Sequence, residues 1–248
     1  MKKNVPPNWI LTELKNVSEI VTGNTPSKKF PRYYGGNIPW VKPPDINKAS
    51  TVYSTQENLS EEGVKKARLL PAGSVLVTCI GNIGNVAIAG VPLATNQQIN
   101  SIIFNSKIVN HKYGFYWCKT IKSWLIDNST STTISMINKS RFSNAPFLLA
   151  PLEEQKRIAN KLDNLFHHLA SLNEQLDKIP VFLEQFRESV LTQAVTGKLT
   201  AKWRQEKNIS FDSWTIEKAE SCCEKVQSGG TPKEGFSNNG VPFLKVYN

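Results

Sequence analysis

Lys28, Lys29 and Arg32 stand close together and run into Tyr33 and Tyr34, with Lys42 a little further on. Cations beside aromatic rings suit contact with phosphate oxygens, and a ring on such a loop can reach into a groove. Amide and hydroxyl side chains recur at Asn82, Asn85, Asn96, Gln97, Gln98, Ser131 and Thr132. These groups both donate and accept, which is what reading base edges requires, and Asn and Gln match adenine in the major groove. The same side chains also have a plainer use. Asn96-Gln97 in particular can hold a turn or cap an element.

Residues for bond-making chemistry are harder to find. Lys42-Pro43-Pro44-Asp45 has the paired prolines of the N/D/S-P-P-aromatic signature of amino-methyltransferases, but not its leading residue or its closing aromatic. No glycine-rich methyl-donor loop follows a strand upstream of it. Gly197-Lys198-Leu199-Thr200 has the letters of a phosphate loop's end without the preceding glycine or the adjacent Ser/Thr, and reads as a helix terminus. His111, His167 and His168 have no ligand-spaced partners, so a metal site is not expected. The acids of the first domain form no local nuclease cluster, although distant ones can converge. Cys79, Cys118, Cys222 and Cys223 contain no CxxC pair, which argues against a disulfide framework or zinc and fits a reducing cytoplasm. The expectation is binding without catalysis, with no cofactor.

The charge is distributed to match. The chain has a formal net charge of +10. Residues 1–150 hold 17 Lys and Arg against 7 Asp and Glu, whereas 151–207 hold 9 against 8 and 208–248 hold 4 against 5. A basic excess confined to one segment is the electrostatic footprint of a nucleic-acid binder. No run approaches the roughly 18 apolar residues of a membrane span. The basic residues at the N-terminus are followed by no apolar run, so no signal peptide is expected.

An internal repeat organises these features. Trp9, Gly23-Asn24-Thr25-Pro26, Phe30 and Ile38-Pro39-Trp40-Val41-Lys42 reappear about 205 residues later as Trp214, Gly229-Gly230-Thr231-Pro232, Phe236 and Val241-Pro242-Phe243-Leu244-Lys245. The second copy stops early and is too short to complete the same core. This predicts a first domain over 1–150, a helical spacer over 151–207, and the start of a second, repeated domain over 208–248.

The first domain reads as α+β with a twisted β-sheet. Strands are expected at Ser74–Ile80, Val86–Ala89 and Asn100–Phe104. A helix is expected over Tyr113–Asp127, burying Phe115, Trp117, Ile121, Trp124 and Leu125. At Pro151 the pattern changes to a helix start, with proline in the first turn and Glu153 and Glu154 facing the positive dipole end. Ile158, Leu162, Leu165, Leu169, Leu172, Leu176 and Ile179 then alternate by four and three, a coiled-coil seam. A helix from Pro151 to Lys178 would be about 42 Å long. Pro180 is expected to kink the helix or begin a new one, and Gly197 to end the apolar face. So long a seam needs a partner helix, unless it simply packs on its own domain.

Three stretches together resemble the specificity (S) subunit of type I restriction-modification systems. They are the Gly-x-Thr-Pro segment with Ile38-Pro39-Trp40-Val41-Lys42, then Gly81-Asn82-Ile83-Gly84-Asn85 with Ala94-Thr95-Asn96-Gln97-Gln98, and Phe147 to Ile158 at the spacer start. Gln193 to Thr200 is similar to the family's spacer end. The resemblance implies two DNA-recognition domains, each reading half of a split duplex site, with long helices fixing the gap between them. It also implies docking of two modification (methyltransferase) subunits, joined by restriction subunits. Because most of a second domain is lacking, one chain is expected to read one half-site. Two copies paired through the Ile158–Ile179 seam would read a symmetric target. The other readings are a fragment of a fused DNA methyltransferase or nuclease, and a coiled-coil adaptor carrying a basic domain.

Overall fold

Short apolar runs, bounded by glycine, proline and asparagine, build the strands that place the polar loops. The structure is a computed structural model and describes residues 6–46, 50–130, 134–210, 212, 214–231, 242 and 244. Most of the second repeat copy after Thr231 (Pro232, Phe236, Val241, Phe243 and Lys245 among it) lies outside the described residues, as do Ser131 and Thr132. The chain divides into two units, Met1–Gln175 and Leu176–Asn248.

In chain order the strands are β1 (Ile10–Glu13), β2 (Ser18–Thr22), β3 (Tyr34–Val41), β4 (Thr51–Val52), β5 (Asn58–Leu59), β6 (Val75–Thr78), β7 (Val86–Ala89), β8 (Ala94–Thr95), β9 (Ile99–Phe104) and β10 (Pro146–Leu149). The helices are α1 (Pro43–Ile46), α2 (Glu61–Val64), α3 (His111–Thr120), α4 (Lys122–Asp127), α5 (Lys139–Ser143), α6 (Leu152–Val195), α7 (Ala201–Glu206) and α8 (Ala219–Cys222). The fold is the expected mixed α+β class, twisted sheets followed by a long helix. Strands β2-β9-β6-β7-β4 form a mixed sheet in that order, β5-β3-β8 form a second, and β1 pairs antiparallel with β10.

Period-two alternation divides the main sheet's core between its faces. Val75, Val77, Val86 and Ile88 join one cluster with Phe115, Trp117, Cys118 and Ile121 of the helical layer. Leu76, Ala87 and Ala89 join another with Val41, Ile46, Val52, Leu70 and Leu93. Both faces are therefore covered, which is why β6 and β7 read as unbroken apolar runs.

The helix expected over Tyr113–Asp127 is two helices. Asn110 starts α3 earlier, its Oδ1 accepting from the backbone N–H of Lys112 (3.0 Å) and Tyr113 (3.2 Å). The break falls at Ile121 (φ −92°, ψ 8°). There the Thr120 hydroxyl donates to the Trp117 carbonyl (2.8 Å), competing for a helical acceptor. Phe115, Trp117, Ile121 and Leu125 are buried as expected, and Trp124 is half-buried.

Two expectations about the spacer meet different outcomes. Of the two alternatives expected at Pro180, it does not begin a new helix, because the 44-residue α6 continues through it. Proline removes one backbone donor, and on an exposed helix water can satisfy the freed carbonyl. Gly197, with φ 69°, follows Val195 in the left-handed conformation and does end the helix. Within the second unit, Arg204 is buried beyond that turn, donating to the Gly197 carbonyl (2.5 Å) and to Thr200 Oγ1, with Trp214 beneath its guanidinium at 5.9 Å.

The repeat motif has a steric cause. A Cβ on Gly23 would lie 2.2 Å from the Asn96 carbonyl oxygen and 2.3 Å from that of Thr95. The Thr25 hydroxyl donates to Gln97 Oε1 (2.5 Å), the Pro26 carbonyl accepts from Tyr34 (2.5 Å), and Trp40 Nε1 donates to the Asn24 carbonyl (3.3 Å). These residues frame a loop. Replacing Gly23 with Ala forces backbone apart and should cost about 1–3 kcal/mol, read in a thermal melt as a Tm lower by roughly 2–12 °C.

Candidate nucleic-acid interface

Antiparallel register decides which loops meet. Thr22 faces Asn100 across β2–β9, Thr78 faces Ile99 across β6–β9, and Val77 faces Val86 across β6–β7. The loop after β2, the loop before β9 and the β6–β7 hairpin therefore share one end of the main sheet. Backbone bonds tie them together: Asn24 N–H to the Thr95 carbonyl (3.0 Å), Gly23 N–H to that of Ile99 (3.0 Å), and Cys79 N–H to that of Gln98 (2.8 Å). Residues 134–137 join this end through Gly81 N–H to the Ser135 carbonyl and Ile137 N–H to the Cys79 carbonyl, both 2.9 Å.

The predicted contact residues divide in this setting. Lys28 and Lys29 are exposed, and among the described residues neither forms an ion pair. Arg32 is exposed, but its Nε sits 3.1 Å from Glu62 and its guanidinium lies over Phe30 and Tyr33 at 5.6 and 5.7 Å. Tyr33 is only 8% exposed. Its ring supports the loop rather than reaching a groove. Lys42 pairs with Glu57 and lies 4.7 Å from the Trp40 ring centre. The hydrogen bond from Lys42 holds the Glu57 carboxyl below its usual range, against its partial burial and with help from the charges of Lys42 and Lys28. Lys42-Pro43-Pro44-Asp45 leads into α1, and the Lys42 N–H donates to Asp45 Oδ2 (2.9 Å).

Among the amides, Asn82 is exposed at the hairpin tip, between Gly81 (φ 75°) and Gly84 (φ 85°). Asn85 is half-buried, its N–H donating to Thr78 Oγ1 (3.0 Å). Asn96 is 6% exposed and holds a turn, accepting from the Gln98 N–H (3.1 Å) and donating to Gln98 Oε1 (3.0 Å). Gln97 is exposed beside Thr25, and Gln98 is half-buried. Ser131 and Thr132 lie outside the described residues; the flanking Thr130 and Met136 pair through two backbone bonds (2.8 and 3.1 Å).

Further cations at this end escaped the sequence reading. Arg68 donates to the Thr22 carbonyl (2.5 Å), the Lys66 carbonyl accepts from Asn24 (2.6 Å), and Lys122 stands against Gly84. The dense run Lys65-Lys66-Ala67-Arg68 was the available signal.

The spacer starts at the other end of the sheet. Asn105, just after β9, donates its N–H to the Val17 carbonyl (3.0 Å) at the start of β2, and the connection into α3 follows. Gln155 of α6 bonds to that connection at Ile108 and Asn110. From there α6 passes α3. Lys112 Nζ and the Tyr116 hydroxyl each reach Asp163 at 2.6 Å, and Phe166 stacks on Tyr116 with ring centres 5.7 Å apart. Burial raises the Asp163 pKa, but the hydrogen bonds from Lys112 and Tyr116 and the charges of Lys112 and His111 bring it below the usual value. Ile158 and Leu162 of the seam are half-buried, whereas Leu165, Leu169 and Leu172 are 50, 50 and 56% exposed. In the second unit Leu176 and Ile179 are exposed as well.

Cations and amides thus gather at one end of the α+β domain, and the long helix α6 starts at the other. The family model described as "Type I restriction modification DNA specificity domain" matches residues 6–180. The chain is 30% identical over 254 residues to the type I restriction enzyme MjaIX specificity subunit of Methanocaldococcus jannaschii, covering 98% of this chain and 58% of that one. It is 37% identical over 207 residues to the EcoDI specificity subunit of Escherichia coli, covering 82% and 45%. The crystal structure of the HsdS subunit from Thermoanaerobacter tengcongensis shares the fold, with a TM-score of 0.63 at 19% identity over 78% of this chain and 46% of that one. The chain belongs to the type I restriction-modification DNA specificity family, and it spans about half the length of these relatives. Among the described residues no helix is long and apolar enough to cross a membrane.

The exposed lysines and the paired one should behave differently toward DNA. Replacing Lys28 and Lys29 with Ala should weaken duplex binding across all sequences and lower the slope of log K against log salt by about 1 for each lysine lost. Lys42→Ala should leave that slope unchanged, because its charge is already spent on Glu57. Filter binding between 50 and 200 mM salt reads both.

Proposed function

We propose that this chain supplies DNA sequence specificity to a type I restriction-modification complex and performs no chemistry itself. The observation that carries the reading is the gathering of three loops, with exposed Lys28, Lys29, Asn82 and Gln97, at the sheet end away from the spacer start. Lysines there grip phosphates, and the amides read base edges of one half-site. Helix α6, 44 residues from Leu152 to Val195, sets the distance between half-sites and docks the methyltransferase subunits, to which restriction subunits attach. The catalytic groups and the methyl-donor site belong to those partners. The setting is the cytoplasm, where the DNA and the reduced thiols are.

The leucine stripe of α6 pairs with that of a second copy, which brings a second half-site reader. Leu165, Leu169 and Leu172 point into solvent on one stripe, which is unfavourable for a lone helix and suits knobs-into-holes pairing. The chain purified alone should sediment as a dimer, and Leu169→Glu with Leu172→Glu should shift it to monomer. A strict monomer at high concentration would remove the pairing while leaving the half-site reading intact.

Methylation mapping tests the reading as a whole. Co-expressed with cognate modification subunits, the chain should direct methylation to one split motif. Exchanging residues 6–150 for those of another family member should change the motif's bases and keep its gap. An unchanged motif after the exchange would show that specificity lies elsewhere.

A further inference from the structure

Gln155 is a polar residue with 0% exposure, one turn into α6. Its Oε1 accepts the Asn110 N–H (2.9 Å), and its Nε2 donates to the carbonyls of Ile108 (2.9 Å) and Ala150 (2.7 Å). One side chain thus joins the connection after β9, the end of β10 and the spacer. Asn110 is also the residue that caps α3, and α3 leads along the sheet toward Lys122, which stands against Gly84 in the β6–β7 hairpin. Other polar ties between α6 and the domain, Trp9 Nε1 to Glu154 (3.1 Å) and Lys112 and Tyr116 to Asp163, are at least partly open to solvent.

Resting on the function proposed above, we infer that Gln155 is a positioning residue that sets the angle between the reading loops and the spacer, and so selects the gap between half-sites. The physical reason is leverage. A tilt of about 5° at the start of the helical stretch 152–175, about 36 Å long at 1.5 Å per residue, moves its far end by about 3 Å, close to the roughly 3.4 Å rise of one base pair. A buried amide with donors and acceptor all engaged holds direction as well as distance, because each bond fails steeply when misaligned. Apolar packing at Ile158 and Leu162 tolerates small rotations and cannot supply that precision.

The experiment is methylation of a plasmid library in which the gap between half-sites is randomised, using the co-expressed complex. Wild type should favour one gap. Gln155→Met, which fills the space without the hydrogen bonds, should reduce gap selectivity at least fivefold, with the half-site bases and binding to a single half-site duplex unchanged. Should Gln155→Met lose its thermal transition, Gln155→Glu, which keeps the acceptor for Asn110 and loses both donors, is read in the same way. Failure of both to fold overturns the inference, since the amide would then be supporting the core. Gap selectivity within twofold of wild type in a folded variant also overturns it. If the wild-type complex yields no split motif, the proposed function fails, and this inference with it.

Discussion

Antiparallel pairing of β9 with β2 on one side and β6 on the other is the constraint on which the rest depends. Once Ile99 lies opposite Thr78, and Asn100 opposite Thr22, three connections of unlike sequence must emerge at the same end. The opposite end is left for the N-terminus of α3 and the start of α6. A one-residue slip would exchange the two faces of β9 and split both core clusters. The separation of polar loops from spacer is therefore a consequence of register, enforced by burial on both faces of β6 and β7.

The spacer follows a different logic. Its first turns are held by the domain, through Gln155, the Asp163 hydrogen bonds and the stacking of Phe166 on Tyr116. Beyond that, its leucines meet water, and their burial by a partner helix would return roughly 25 cal/mol per Å² of apolar surface. Each repeat tryptophan meets a spacer end: Trp9 donates to Glu154 at the start, and in the second unit Trp214 lies under the Arg204 that closes the helix.

That detail explains which parts of the site were legible. The repeat motif stood out because each residue has a steric or hydrogen-bonding duty that few others can fill: Gly23 by close approach, Thr25 through Gln97, Trp40 through Asn24. Residues that merely present a charge or amide carry no such mark. Tyr33 and Asn96 have the right chemistry for contact but are consumed by packing and a turn, whereas Arg68 and Lys122 were overlooked because their neighbours in sequence are not their neighbours in space. The break at Ile121 was hidden for a related reason. Apolar spacing continues across it, and only a local hydroxyl interrupts the backbone.

The amino-acid order by itself determined the class of fold, the change from globule to rod at Pro151 and the heptad stripe, because periodicity and capping are local properties of a chain. It also determined where the positive charge lies. Only the tertiary structure decided which cations and amides face solvent together, that α6 continues through Pro180, and that Gln155 is buried with every hydrogen bond made. Those outcomes depend on strand register and on what covers each surface, and both arise between residues far apart in the chain.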